Sequence, residues 1–291
     1  MTPQQLLTEE AENLEQVTEL DISHLVIEDD TPVDNFQSEE QQRLLVEPLY
    51  SSQALPRPFL AAANVGLFYE LKGDPIVPDI MLSLGVQRAA DYSQRQNRSY
   101  FVWEFGKVPE VCIEIVSNQE GDELLLSKQS QRKGKIRTKL DTYAQIKIPY
   151  YVVFDPLQQI QGKEGMNGAL LRVWTISPVG YTELTLNRQI INAGESVWLE
   201  GVGLGVMLWE GEFEEDVSRL WLRWCDQEGK PIPTGAEGRE IERQRADTQQ
   251  QQAQIERQRA EMERQQAEME RQRAERLAQK LREMGIDPDQ V

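Results

Sequence analysis

The chain has 291 residues, 39% of them hydrophobic, and a formal net charge of -18. That supports one medium α/β domain with attachments rather than two full domains. Its single histidine, His24, and its two cysteines exclude a Ser-His-Asp triad, a Cys-His pair in the main domain and a Cys/His zinc site.

Catalysis would have to use carboxylates, lysines, hydroxyls or an oxygen-ligated metal. Cys112 and Cys225 read as reduced thiols of a cytoplasmic protein. No apolar stretch approaches the ~18 residues of a membrane span, and Met1 to Gln5 carry no secretory pattern. The acidity is unevenly spread. Residues 1–47 hold thirteen acidic residues against Arg43, and the tail from Thr234 holds thirteen against eleven, which leaves the middle at a net of -4. Nucleic-acid binding is therefore not excluded by the overall charge.

Residues 1–34 are acidic and lack apolar periodicity, which predicts a mobile arm. A helix is expected from about Asn35 to Ser52. Strands are expected over Phe59–Leu71 and Ile76–Leu84, separated by the turn Lys72-Gly73-Asp74-Pro75. Residues 87–99 read as a loop before Tyr100-Phe101-Val102-Trp103. Val108–Ser117 contains the apolar run Val111 to Val116 and predicts a strand buried on both faces. A long helix is expected from Asp122 to about Lys147, then a second buried strand, Tyr150–Phe154. Beyond Pro156 the pattern turns to hairpins. Leu170–Ile176 and Tyr181–Leu186 flank Ser177-Pro178-Val179-Gly180, and shorter strands follow near Val197–Leu199, Gly205–Trp209 and Leu220–Cys225. Gly201-Val202-Gly203-Leu204-Gly205 lacks the spacing and the strand-to-helix context of a dinucleotide loop.

From about Glu237 the composition collapses to Glu, Arg, Gln and Ala. Alanines from Ala246 to Ala274 recur every seven residues, with Ile255, Met262 and Met269 two positions after three of them. Intervals of two and five do not make a coiled-coil seam, whereas Glu/Arg pairs at i,i+3 and i,i+4 favour a solvated single helix over a dimeric coiled coil. Leu277, Leu281 and Met284 form a terminal apolar stripe, with Gly285 as a C-cap. That stripe could dock on the domain or on a partner.

The chemistry centres on Glu114. An ionised carboxylate inside a buried strand costs several kcal/mol unless it finds a cation, a metal or a proton. Asp79 follows Pro78 on another apolar stretch, and a basic cluster runs from Lys128 to Lys139. Two strand carboxylates and a nearby lysine are the parts of a metal-dependent phosphodiesterase. Lys128, Arg132, Lys135 and Lys139 are spaced four, three and four apart, which puts them on one face of the expected helix.

Asp79 in "PD", Glu114 and Ser117 in "EIVS", and "KLDTYAQIKIPYYVVFDP" from Lys139 to Pro156 together resemble the Uma family of endonucleases, a branch of the PD-(D/E)xK restriction-endonuclease-like superfamily. The resemblance covers roughly Gln37 to Trp224. It implies an α/β fold: a mixed central sheet flanked by helices, here with added β-hairpins and a long charged C-terminal helix. It implies a Mg2+- or Mn2+-dependent endonuclease acting on nucleic acid, DNA first. Asp79, Glu114 and the Ile115 backbone carbonyl would be metal ligands. The superfamily lysine usually lies two residues after the second acid, where this chain has Val116. In the Uma branch a helix lysine four residues before a tyrosine takes its place, and Lys139 before Tyr143 matches. Lys139 would orient water or stabilise developing charge, Lys128, Arg132 and Lys135 would meet phosphates, and Glu40 corresponds to an accessory acid. The segment Gly121–Thr138 is longer than the family minimum.

These readings divide the chain into an acidic arm (1–34), a restriction-endonuclease-like domain (35–233) and a helical tail (234–291). The competing expectations are an inactive nuclease-derived binding module and a scaffold protein working through its tail. The tail could bring a homodimer or a partner protein. No membrane association is expected.

Overall fold

Asn35 starts the first helix. Its backbone is extended and its side chain accepts the Ser38 N–H at 2.9 Å, which satisfies a donor that the first turn leaves over. The helix α1 (Phe36–Ser51) buries Leu44, Leu45 and Leu49. Its Gln41 amide donates to the Leu222 carbonyl (2.7 Å) and accepts from the Leu222 N–H (2.9 Å). That pair replaces a missing strand neighbour. The structure, a computed structural model, describes Ile22, Leu25 and residues 35–126, 131, 134–214 and 217–285.

The strands follow in order: β1 (Phe59–Ala63), β2 (Leu67–Phe68), β3 (Ile80–Leu84) and β4 (Tyr100–Phe101), then the helical turn α2 (Val102–Phe105) and β5 (Val111–Ile115). After α3 (Lys139–Gln145) come β6 (Tyr150–Phe154), β7 (Leu171–Ser177), β8 (Gly180–Glu183), β9 (Ser196–Leu199), β10 (Leu204–Glu212) and β11 (Ser218–Cys225). The main sheet has the order β1-β3-β5-β6-β7-β8. Its β5–β6 pair is parallel and its other pairs are antiparallel, so the sheet is mixed. A second sheet has the order β11-β10-β9, and β2 pairs with β4.

Alternation sorts the main sheet's side chains onto two faces. Ile80, Ile113, Val152 and Val173 pack with Leu45 and Leu49 of α1 and with Leu208 and Trp224 of the second sheet. Met81, Cys112, Val116, Tyr151 and Val153 pack on the other face with Tyr143 of α3. β5 and β6 are buried along their whole lengths, as parallel strands covered on both sides should be. Both cysteines are free and buried. Ile22 and Leu25, the two described residues of the acidic arm, sit against Phe68, Phe101 and Trp103.

Three expectations are corrected. The strand expected over Phe59–Leu71 is two strands, because Asn64 adopts φ +52° and breaks the run. β3 begins at Ile80 rather than Ile76; Pro75 and Pro78 remove donors, and Ile76 makes only an isolated bridge to Leu67. The helix expected from Asp122 to about Lys147 is not continuous: residues 122–126 and 134–138 are not helical. Gly134 sits at φ +84°, outside helical space. Thr138 then starts α3 with a capping box: its side chain accepts from the Asp141 N–H, and Asp141 accepts from the Thr138 N–H.

The chain separates into two units, Met1–Thr234 and Gly235–Val291. The second consists of α4 (Gly235–Glu283), 49 residues with none buried, followed by Gly285 at φ +79°. Among the described residues no helix is long and apolar enough to cross a membrane.

Candidate active site

Asp79 lies immediately before β3, where the ladder to β5 ends. Its Oδ2 accepts the Ile115 N–H at 2.6 Å, and its Oδ1 accepts from the Gln42 side chain at 3.2 Å. The carboxylate thus continues the β3–β5 pairing beyond the backbone. An extended residue sends its N–H and C=O to the same edge, so the Ile115 carbonyl shares the edge that Asp79 occupies.

Glu114 is one residue earlier on β5 and only 1% exposed. Its Oε1 accepts from the Tyr143 hydroxyl at 2.7 Å and its Oε2 from Lys139 Nζ at 2.6 Å. Lys139 and Tyr143 are four residues apart on α3, so a single helical face delivers both donors. Burial pushes the Glu114 carboxyl up to about 8, helped by the charge of Asp79 and opposed by Lys139 and Tyr143. Burial alone would lower Lys139, but Glu114 and Asp79 outweigh it and hold the ammonium above its ordinary value.

A third carboxylate joins them, which the sequence reading missed. Glu123 is 8% exposed, and its Oε2 is buried with no hydrogen-bond partner. Burial raises its pKa, with Asp79 adding to the rise and Lys139 opposing it. The Asp122 carbonyl accepts the Lys139 N–H at 2.8 Å, and the Glu123 carbonyl accepts the Leu140 N–H at 3.1 Å. Asp79, Glu114 and Glu123 therefore share the field of one ammonium.

This set fits a hard divalent cation. Its donors are oxygens, one buried carboxylate oxygen is unsatisfied, and the cluster is short of positive charge. Among the described residues, no three His, Cys, Asp or Glu side chains are arranged to hold a metal by themselves. The fit is therefore of the kind in which one or two carboxylates share an ion with backbone, water and substrate oxygens.

The remaining candidates are dispersed. Glu40 pairs with Arg219 of β11 at 3.2 Å. Lys135 precedes α3 and forms an ion pair with Asp122. Lys128 and Arg132 lie outside the described residues, so the expected four-residue basic face is not assembled by α3, which carries only Lys139 of the four. A cavity of about 440 Å³, lined by Leu60, Ala62, Arg88, Tyr92 and Tyr100 among others, includes none of Asp79, Glu114 and Lys139. The cluster sits at the end of the sheet instead.

The raised Glu114 carboxyl makes stability pH-dependent with a definite sign. Between its ordinary 4.5 and about 8 the folded chain keeps a proton that the unfolded chain has released. That contribution is full below about pH 4.5 and is lost as pH rises through about 8. In chelator, urea unfolding should show wild type losing a few kcal/mol relative to Glu114→Gln across this window. A pH-independent difference would contradict the assignment.

A mixed sheet flanked by helices, with an acid at the end of one strand, a second acid on the next and a lysine bonded to it, defines a restriction-endonuclease-like fold. The comparison with protein families agrees: residues 9–161, just over half of the chain, match the model of Uma2, described as "Putative restriction endonuclease". The chain belongs to that family. No curated protein matches it.

Proposed function

We propose that this protein is a Mg2+- or Mn2+-dependent endonuclease that hydrolyses phosphodiester bonds in DNA, with Asp79, Glu114 and Lys139 as its catalytic residues. The observation that carries this reading is the direct Lys139–Glu114 contact beside an Asp79 fixed to the next backbone N–H. Asp79, Glu114 and the Ile115 carbonyl would hold the ion. When bound, it supplies charge for the phosphate and lowers the pKa of water.

The chain's own residues supply orientation. Gln42 and the Ile115 N–H fix the Asp79 carboxylate, and Tyr143 fixes that of Glu114. Lys139 has three N–H donors and uses one on Glu114. With 31% of its side chain exposed, it can direct another towards a phosphate oxygen or a water. Lys128, Arg132 and Lys135 are assigned to phosphate contacts; for Lys135 this means exchanging Asp122 for substrate.

A second reading is a nuclease-derived binding module. It is favoured by a Glu114 carboxylate whose two oxygens are both satisfied by protein donors. Calorimetric titration with Mn2+, on wild type and on Glu114→Gln, separates the two. The nuclease reading expects binding by wild type, weakened at least about tenfold in the variant, and DNA cleavage that stops with chelator. Equal or absent metal binding, with DNA binding indifferent to chelator, would establish the module.

A further inference from the structure

The 49 residues of α4 bury no side chain, and Ile241, Ile255, Met262 and Met269 are between 41% and 62% exposed. Intrahelical ion pairs give this helix limited support. Among the described residues it makes only Glu240–Arg243 (2.9 Å) and Arg271–Glu275 (3.2 Å), both solvent-exposed. Of its eleven cations, nine form no ion pair within the described chain. Four of these, Arg245, Arg259, Arg273 and Lys280, recur at multiples of seven residues and form a regular row.

Its partner row is found by changing the seam. Pairing Ile255, Met262 and Met269 with the alanines gives intervals of two and five. Pairing them with glutamines gives three and four. With Ile241 as position a, Thr248, Ile255, Met262 and Met269 continue the a row, which ends in Arg276 and Glu283, and Gln244, Gln251, Gln258, Gln265, Gln272 and Gln279 occupy the d positions after Glu237. The alanines then fall at f on the outer face, where they favour helix without packing.

This register also sorts the charges. Those four cations are e residues, alternating with Gln252 and Gln266; of the other five without an ion pair, Arg239 falls at f, Arg257 and Arg264 at c, Arg276 at a and Arg282 at g. The other g residues are Glu240, Asp247, Gln254, Glu261, Glu268 and Glu275. In a parallel, in-register pair each g residue meets the partner's e residue five positions on. Glu240 meets Arg245, Glu268 meets Arg273 and Glu275 meets Lys280. Nowhere along the e and g rows do like charges meet; within the seam, Arg276 and Glu283 at a face their own copies at the end of the helix. An antiparallel pair would instead set acid against acid and base against base.

We propose that α4 is the interface for a second copy of this chain, joined as a parallel, in-register, two-stranded coiled coil. The glutamine amides donate to and accept from one another across the seam. Polar d positions weaken the association and fix its register. Leu277, Leu281 and Met284 fall at b, f and b, outside the seam. The inference does not depend on the nuclease reading.

Sedimentation equilibrium of the full chain should give twice the 33.5 kDa chain mass. Thr248→Cys, at position a, should cross-link as a dimer on oxidation and Gln249→Cys, at b, should not; both native cysteines are buried. In an antiparallel pair centred on the helix the two Thr248 positions would lie about 30 Å apart. The triple variant Glu261→Lys, Glu268→Lys, Glu275→Lys should be monomeric. So should Arg259→Glu, Arg273→Glu, Lys280→Glu, and mixing the two should restore the doubled mass. A wild-type chain that stays at single mass, cross-linking equal at the two cysteine positions, or a dimer that survives each charge reversal would overturn the proposal.

Discussion

Asp79→Asn and Glu114→Gln should each lower metal-dependent DNA cleavage by at least about a hundredfold, because each removes a charged oxygen donor from the proposed ion. The substitutions are close in shape to the originals. The fold should survive both: an amide oxygen at position 79 can still accept the Ile115 N–H, and one at position 114 can still accept from Tyr143. Circular dichroism should therefore stay near wild type, and the Glu114→Gln unfolding midpoint should depart from wild type only by the pH-dependent difference expected of its raised carboxyl, while cleavage of fluorescent DNA with Mg2+ or Mn2+ collapses. Cutting that is undiminished in both variants would assign the activity to a contaminant or to another part of the chain.

Lys139→Met should cost about 3 kcal/mol of stability near pH 8 and abolish cleavage. Removing one partner of a buried pair leaves the other charge uncompensated, and Glu114 has 1% exposure to water. The penalty should shrink towards pH 5, where Glu114 is protonated and no longer needs an ammonium. Adding Glu114→Gln to Lys139→Met should recover most of the lost stability and none of the activity. If single and double variants are equally unstable at both pH values, Lys139 acts through packing rather than through Glu114.

Much of the sheet is legible in the sequence because burial on both faces leaves an unbroken apolar run. Val111–Ile115 and Tyr150–Phe154 are such runs, and Glu114 stands out as a charge inside one. The β7–β8 hairpin is legible from its turn residues. The segment after Glu114 misleads because basic residues at spacings of four, three and four imitate a helical face. Two local signals argue otherwise: Gly134, and Thr138 three residues before Asp141, which is a helix start. The supports of the site are less accessible. Gln42 meets Asp79 across 37 residues and a turn brings Glu123 into the field of the ammonium, and no local periodicity encodes either placement.

The way the chain leaves and re-enters the site separates two jobs. The Asp122 carbonyl is bonded to the Lys139 N–H and that of Glu123 to the Leu140 N–H, so residues 123–138 depart and return at nearly the same point. The length of that excursion is decoupled from where the ammonium sits. A change of length between those anchors leaves the Lys139 backbone where it is, so the stretch between Glu123 and Thr138 is where the fold can take up an insertion.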